Sequence, residues 1–236
     1  MTKLSVNINK IATLRNARGG DVPNIVQFAI DCQRFGADGI TVHPRPDERH
    51  ITYQDTVNIS KIINTEFNIE GYPDLRYFEL LNKTLPTQAT LVPDKPDVLT
   101  SSEGWNVIEQ REFLSDCLTQ IRKLGIRSSL FIEPNIEQIE WAAKVGADRI
   151  EFYTGPYAAN YNKGESSIQP YLDACNIAIK CGLSINAGHD LSLDNLRFFS
   201  EKMPQLDEVS IGHALISDAL YFGIENTIQM YKRCLS

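Results

Sequence analysis

The chain lacks the long apolar segments of membrane proteins, and we expect no secretory leader. None of its apolar runs approaches the ~18 residues that a membrane-spanning helix needs. The opening stretch also has no apolar core of a secretory signal. We therefore expect a cytoplasmic protein that acts without a membrane. With 42% hydrophobic and 22% charged residues, the composition is typical of a globular domain and excludes collagen-like and low-complexity chains.

Cysteine is scarce, and basic clusters of the kind that bind nucleic acid are missing. The five cysteines are dispersed, mostly in apolar helical patterns, and none forms a CxxC pair, which predicts free thiols in a reducing compartment. A net charge of −7 argues against nucleic acid as a partner. Acidic residues are absent from residues 1–20, which contain Lys3, Lys10, Arg15 and Arg18. This segment is either a solvated basic edge or a local anion site.

Short β-type runs alternate with amphipathic helical patterns along the chain. Runs rich in Val, Ile, Thr and Phe, bounded by Gly or Pro, are typical of buried strands. Glycines such as Gly36 and Gly146 follow helical patterns directly before such runs, as helix-ending glycines do. The last pattern, Ala214–Leu235, predicts one long helix. The predicted strands are Leu4–Asn9, Gly39–Pro44, Phe67–Tyr72, Ala89–Asp94, Arg127–Pro134, Arg149–Gly155, Leu183–His189 and Glu208–His213.

Eight strands alternating with eight helices in 236 residues predict an α/β protein with a single-domain (β/α)8 TIM barrel over residues 1–236. An open doubly wound sheet fits less well, because it would be unusually wide and no GxGxxG follows the first strand.

Polar residues gather where the predicted strands end, and a TIM barrel places its active site there. Of the four histidines, His43, His189 and His213 end strands, and His50 lies in the loop after the second strand. Asn7, Asn9 and Lys10 end the first strand, and Thr154 follows the sixth. One strand-end histidine is more often structural, but the convergence of all four predicts a catalytic site.

The last two strand ends have the character of phosphate sites. Gly212-His213 leads directly into a helix, and Gly188-His189-Asp190 leaves the seventh strand in a similar way. Backbone N–H groups after strands seven and eight are the usual phosphate ligands in this fold. Arg18, Arg45 and Arg49 could add bidentate contacts to phosphate oxygens. The sequence therefore predicts phosphorylated small molecules as ligands.

Two glutamates occupy apolar strands. Glu70 lies between Ile69 and Gly71, and Glu151 lies in the sixth strand. A carboxylate that faces the barrel lumen can carry protons, although a structural ion pair would also explain it. A zinc site built from histidines and glutamates is the main alternative. The HxH pair typical of metal barrels is absent and several arginines share this end, so we expect no metal.

Taken together, these motifs resemble those of the pyridoxine 5′-phosphate synthase family. The resemblance rests on VNINKIATLRNARGG, GADGITVHPRPDERHI, NIEGYP, LVPDKPDVLTSSEG, SLFIEP, IEFYTGPYA, INAGHDL and IGHALI, and runs from residue 6 to about residue 220. It implies a cytoplasmic barrel enzyme, an octamer built from dimers, without a metal or organic cofactor. The implied reaction joins 1-deoxy-D-xylulose 5-phosphate to 3-amino-2-oxopropyl phosphate and yields pyridoxine 5′-phosphate, inorganic phosphate and water.

The resemblance also implies roles for individual residues. His43 and Glu70 would accept protons, His189 would donate one, and Glu151 would stabilise a charged intermediate. The deoxyxylulose phosphate would contact Asn9, Lys10, Arg45, His50 and Thr100, and the aminoketone phosphate would contact Asn7, Arg18, Asp190, Gly212 and His213.

Four positions depart from the family pattern. The family usually has Asp-His where this chain has Asn9-Lys10, Gly where it has Asp190, and often Gly where it has Trp105. We expect Lys10 to replace the histidine as a phosphate contact, and an aspartate near phosphate to contribute through its backbone.

Two other functions fit parts of this pattern. A phosphosugar isomerase or epimerase needs only one acid–base pair and one phosphate site. A non-catalytic phosphometabolite-binding barrel would keep Arg18 and Gly212 but would not need His43 or Glu70. Two anion sites and several proton carriers favour a condensing enzyme.

Overall fold

A computed structural model describes residues 1–94 and 103–236, and its centre is a closed barrel of eight parallel strands. Neighbouring strands pair in chain order, for example Val6 with Ile40, and β1 closes the barrel against β8 by pairing Leu4 with Val209. The predicted TIM barrel is confirmed. The strands are β1 (Lys3–Asn7), β2 (Gly39–Val42), β3 (Glu66–Gly71), β4 (Gln88–Leu91), β5 (Arg127–Ile132), β6 (Arg149–Tyr153), β7 (Ser184–Gly188) and β8 (Leu206–Ile211).

Helices follow the strands and pack outside the barrel. Some of their starts are capped by a side chain: Thr52 and Asp55 form a capping box on α3, and the Asp74 side chain accepts the N–H of Tyr77 in α4. The helices are α1 (Asn9–Asn16), α2 (Ile25–Arg34), α3 (Tyr53–Ser60), α4 (Leu75–Thr84), α5 (Arg111–Lys123), α6 (Ile136–Lys144), α7 (Gly155–Ala159), α8 (Glu165–Lys180), α9 (Leu196–Lys202), α10 (His213–Phe222) and α11 (Ile224–Cys234). Within the described residues, no helix is long and apolar enough to cross a membrane.

The glycines predicted to end helices do so. Gly36 after α2 has φ 95° and Gly146 after α6 has φ 91°, a conformation that costs glycine little. The two junctions that nearly repeat in the sequence, residues 35–40 and 145–150, are therefore two copies of one helix-to-strand turn.

The helix prediction differs from the structure at three places. Helices α1 and α7 were not predicted. Each begins at the last residue of a predicted strand, Asn9 in the first and Gly155 in the sixth. The single helix predicted over residues 214–235 is two helices, because Gly223 has φ 74° and separates α10 from α11. Asn9 and Lys10 consequently belong to the first turn of α1 and not to β1.

The two faces of each strand differ in character. Leu4, Val6 and Ile40 are fully buried between the strands and the helices. The lumen side is polar: the hydroxyls of Ser5 and Thr41 lie 2.7 Å apart. Because side chains alternate along a strand, the polar lumen rows lead directly to the residues at the strand ends.

Candidate active site

One large cavity opens at the carboxyl ends of the strands, with a volume of about 810 Å³. It brings together all the predicted site residues except two. Arg18 is exposed beyond the end of α1 and is not part of the wall. Thr100 lies outside the described residues. The predicted residues in the wall are Asn7, Asn9, Lys10, His43, Arg45, His50, Glu70, Glu151, His189, Asp190, Gly212 and His213.

One side of the cavity is cationic. Lys10, Arg45 and Arg49 line it, from α1 and the loop between β2 and α3. Arg45 is buried and lies 2.6 Å from a carboxylate oxygen of Asp94. Lys10 is exposed and forms no hydrogen bond or ion pair with the part of the chain that the structure describes. Positive charge therefore faces a space large enough for a phosphorylated sugar.

His50 stands on this cationic side as a neutral group. Its Nδ1 accepts a hydrogen bond of 2.9 Å from the backbone N–H of Ile51, so in the neutral ring the proton is on Nε2. Burial, and then the nearby positive charges, lower the pKa of His50 to about 3. Lys10, Arg45 and Arg49 are among those charges. His50 is therefore a hydrogen-bond donor through Nε2 and not a cation at neutral pH.

Helix α1 clamps the backbone that carries His50. The Asn16 amide donates to the carbonyl oxygens of Arg49 and His50 at 3.2 and 2.9 Å. Arg15 forms two hydrogen bonds, of 2.7 and 2.8 Å, with Asp55 at the start of α3. The sequence analysis treated Arg15 only as part of a basic segment, but it ties two helices together beside the cavity.

Asn9 positions the end of β2. Its side-chain oxygen accepts the backbone N–H of His43 at 3.0 Å, and its own N–H donates to the side chain of Asn7 at 3.1 Å. A Cβ at Gly212 would lie 3.1 Å from the Cβ of Asn7. The ends of β1, β2 and β8 therefore fit closely around two asparagines.

His43 and Glu70 form an acid–base pair in the wall. Nδ1 of His43 lies 3.5 Å from a carboxylate oxygen of Glu70, and both side chains are largely buried. Such a pair can exchange protons with a bound substrate because both groups face the same cavity.

Glu151 is the most strongly buried acid of the cavity wall, with 3% of its surface exposed. Burial, together with the negative charges of Glu70 and Glu208, raises the pKa of Glu151 well above its ordinary value. Its Oε2 forms no hydrogen bond with any described residue. A Cβ at Gly188 would collide with its carboxylate, so glycine leaves room for it there. Burial therefore favours the neutral carboxyl of Glu151, one oxygen of which is buried without a hydrogen bond to any described residue.

His189 lies just after β7 in a left-handed turn. His189 has φ 83° and Asp190 has φ 57°, both unusual for residues other than glycine. The position at which the family usually has glycine is thus one that favours glycine, and aspartate tolerates it better than most residues do. The Asp190 carboxylate lies 3.4 Å from Nδ1 of His189, so its side chain faces the histidine.

The start of α10 forms the wall next to the end of β1, because β8 pairs with β1 in the closed barrel. Gly212 precedes the helix, His213 is its first residue, and both line the cavity with Ser210 and Ala214. Free N–H groups at a helix N-terminus favour an anion, and α10 has ten residues.

Two aromatic residues of the wall were missed by the sequence analysis. Phe131 of β5 and Tyr153 of β6 both line the cavity, and their rings lie 5.5 Å apart. Tyr153 is two residues after Glu151, so the alternation along β6 was the signal that could have identified it. Among the described residues, no three His, Cys, Asp or Glu side chains form a group suited to holding a metal ion.

The chain matches known proteins over nearly its whole length. The model of the family described as pyridoxal phosphate biosynthesis protein PdxJ matches residues 4–236. A protein of Porphyromonas gingivalis named pyridoxine 5′-phosphate synthase is 58% identical over 233 residues, which is 98% of each chain. A protein of the same name from Bacteroides thetaiotaomicron is 58% identical over 236 residues, 100% of each chain.

The chain also resembles solved structures that are distant from it in sequence. Aminoacrylate-bound tryptophan synthase from M. tuberculosis has a TM-score of 0.67 at 12% identity, covering 100% of this chain and 94% of that one. Phosphoribosyl anthranilate isomerase from Thermotoga maritima has a TM-score of 0.59 at 14% identity, covering 100% and 98%. At such identities the likeness concerns the fold alone.

Proposed function

Because the chain belongs to the PdxJ family of pyridoxal phosphate biosynthesis proteins, we propose that it is a pyridoxine 5′-phosphate synthase. In this reaction 1-deoxy-D-xylulose 5-phosphate and 3-amino-2-oxopropyl phosphate condense to pyridoxine 5′-phosphate, inorganic phosphate and water. The observation that carries the proposal is one cavity whose wall combines anion-binding groups from α1, the loop after β2 and the start of α10 with the proton carriers His43, Glu70, Glu151 and His189.

Each phosphorylated substrate has its own side of the cavity in this proposal. The sugar phosphate takes the cationic side, where Arg45 and Lys10 supply charge and the Nε2–H of His50 supplies a neutral donor. The aminoketone phosphate takes the start of α10 at Gly212 and His213, with Asn7 beside it. From the family resemblance alone, Thr100 would contact the sugar phosphate and Arg18 the aminoketone phosphate.

The reaction needs repeated proton transfers, since an imine forms, a carbon–carbon bond closes the ring, and water and phosphate leave. His43 and Glu70, with Nδ1 and the carboxylate 3.5 Å apart, are suited to accept protons from the substrate carbons. His189 stands across the cavity and is suited to donate a proton to a leaving oxygen.

Glu151 has a different role from the other acid. Burial raises its pKa well above the ordinary value, so its neutral form is favoured. A protonated carboxyl with an unpartnered oxygen stabilises a developing negative charge by donating a hydrogen bond, without bringing a second negative charge beside Glu70.

The family resemblance extends the proposal to a cytoplasmic homo-octamer. In support of subunit contacts, Leu220, Tyr221 and Phe222 at the end of α10 are 70%, 85% and 48% exposed. Light scattering on the purified protein would give the mass of the assembly, and a monomer would contradict this part of the proposal.

The test of the function is direct. Purified protein is incubated with both phosphates, and pyridoxine 5′-phosphate absorbance and released phosphate are followed together. We expect both signals only when both substrates are present, and unchanged activity after dialysis against a strong chelator. Turnover of one phosphate ester alone would instead indicate an isomerase or epimerase. Binding of both substrates without product would indicate a non-catalytic barrel.

A further inference from the structure

The turn that carries His189 requires an external restraint. Its two consecutive residues with positive φ, His189 at 83° and Asp190 at 57°, both have side chains. Left-handed backbone costs free energy in such residues, so it persists only where surrounding groups enforce it.

Two buried side chains outside the cavity wall supply this restraint. Thr154 is fully buried, and its hydroxyl donates to the carbonyl oxygen of Gly188 at 2.6 Å while also contacting that of His189. Its backbone N–H donates to the same Gly188 oxygen at 3.0 Å. Asn195 is 5% exposed, and its amide donates to the carbonyl oxygen of Asp190 at 3.1 Å. Three consecutive carbonyls, those of residues 188–190, are thus held from β6 and the start of α9.

The imidazole itself has little to hold it. Nδ1 of His189 is buried without a hydrogen bond to any described residue, and the nearest carboxylate oxygen, of Asp190, is 3.4 Å away. The ring contacts Tyr153 edge-to-face, with centroids 5.2 Å apart. Its place in the cavity therefore follows from the backbone turn and from the residues at the end of β6.

We propose that Thr154 is a positioning residue, whose hydroxyl holds the turn at residues 188–190 and thereby sets where His189 stands in the cavity. The proposal rests on the function proposed above, in which His189 donates a proton. Thr154 does not line the cavity, so it acts on the reaction through the turn at residues 188–190 that its hydroxyl holds.

The kinetic test compares Thr154→Val, which keeps the shape and removes the hydroxyl, with Thr154→Ser, which keeps the hydroxyl. The matched control is Thr227→Val, because Thr227 is equally buried and its hydroxyl donates at 2.9 Å to the carbonyl of Gly223, the residue before α11 and far from the turn. We expect Thr154→Val to lower kcat roughly tenfold to a hundredfold, with both KM values within twofold, since misplacing a catalytic group by about 1 Å has such an effect. Thr154→Ser should recover most of the rate, and Thr227→Val should keep it.

A second readout does not depend on catalysis. The chain has four histidines, so histidine-selective NMR gives few ring signals, and His189→Gln identifies that of His189. We expect Thr154→Val to shift or broaden this signal and to leave those of His43 and His50 unchanged. If the valine variant does not fold, Thr154→Ala gives the same two measurements.

The proposal is overturned if the hydroxyl-free variant keeps the kcat and the His189 signal of the unsubstituted protein. It is also overturned if Thr227→Val lowers kcat equally. An unsubstituted protein that makes no pyridoxine 5′-phosphate would contradict the proposed function, while the NMR signal would still decide whether Thr154 positions His189.

Discussion

The two ends of the barrel both carry charged side chains in the lumen, but they use them differently. At the amino ends of the strands, Glu66 forms ion pairs with Lys3 and Arg127. There Asn186 also accepts a hydrogen bond of 3.0 Å from Arg149 and donates one of 3.3 Å to Glu208. We call Lys3, Glu66, Arg127, Arg149 and Glu208 the N-terminal layer.

At the carboxyl ends, charged groups line a cavity, and although Arg45 pairs with Asp94, others are left without a charged partner. Lys10 has no ion pair or hydrogen bond, and Oε2 of Glu151 has no hydrogen bond, among the described residues. The contrast is not absolute, since Nε of Arg149 is also buried without a partner. It still teaches that charges which satisfy each other stabilise the barrel, while charges left open are available to ligands.

The largest expected effect, on kcat, distinguishes the two ends of the barrel along the single strand β3. Glu66 and Glu70 lie four residues apart on the same face of β3, or about 13 Å. Glu70→Gln and His43→Ala should each lower kcat by ~10²–10⁴, because each removes a proton carrier. Steady-state kinetics measures this, and circular dichroism should show a retained fold. Near-normal turnover in both variants would contradict the acid–base assignment.

The second prediction concerns Glu208, which is 2% exposed in the N-terminal layer. Burial, and then the charge of Glu66, raises the pKa of Glu208 to about 7, despite nearby cations. The folded protein therefore holds a proton that the unfolded chain releases above about pH 4.5. The stability that comes from protonating Glu208 preferentially in the folded state is complete below that pH and is lost as the pH rises through about 7.

Glu208→Gln removes this dependence. We compare the unfolding free energy of the variant with that of the unsubstituted protein at each pH. This difference should be about 2 to 3 kcal/mol more favourable to the variant at pH 8 than at pH 5. Urea unfolding at the two pH values measures the change, and circular dichroism at both pH values serves as the control that the variant keeps its fold. If the difference in unfolding free energy between the variant and the unsubstituted protein is the same at both pH values, Glu208 is ionised in the folded state.

The third prediction concerns Glu66→Gln, for which the expected pH dependence of stability has the opposite sign to that for Glu208. Burial alone would raise the pKa of Glu66, but hydrogen bonds from Lys3 and Arg127 lower it below the ordinary value. Its stabilising contribution is therefore present above about pH 4.5 and is lost as the pH falls. The variant should lose ~1–2 kcal/mol of unfolding free energy at pH 7, less at pH 4, and keep its kcat. A loss of kcat with unchanged stability would reverse the comparison between the two ends.

Most of the barrel could be predicted from the sequence, because the alternation of strands and helices repeats and glycines such as Gly36 mark each return to the barrel. The cavity wall followed from one rule about strand ends, which placed His43, Glu70, Glu151 and His189 together. The N-terminal layer was not predicted. Its residues have the same types as those of the site, and only the pairing of side chains across strands distinguishes them.

The contacts that arrange the site also lay beyond the sequence. The proton on Nε2 of His50 depends on a hydrogen bond from Ile51, and the backbone of His50 is held by Asn16, 34 residues earlier. Left-handed backbone at His189 carries no sequence signal, and at position 190 the only sign of it is the glycine that the family pattern has where this chain has Asp190. Such features arise from tertiary contacts, which local patterns do not encode.

The smallest expected effect concerns the two lysines near the ends of β1. Lys10 lines the cavity without an ion pair, whereas Lys3 pairs with Glu66 at the other end. We expect Lys10→Ala to raise KM for the sugar phosphate about fivefold, the effect of losing an exposed charge contact of ~1 kcal/mol. KM for the aminoketone phosphate should change much less, and Lys3→Ala, the matched control, should leave both constants unchanged.

A histidine at position 10 sharpens this last prediction. An ammonium group stays charged near neutrality, whereas an imidazole is only partly protonated there. Lys10→His should therefore recover part of the lost affinity for the sugar phosphate, and more at pH 6 than at pH 8. The neutral donor His50 lies on the same side and contributes no pH dependence in this range, since its pKa of about 3 is far below it. Substrate binding by the unsubstituted protein should accordingly change little through these two residues between pH 6 and pH 8. If Lys10→Ala leaves both KM values unchanged, the ammonium points to solvent, and the cationic side of the cavity depends on its arginines.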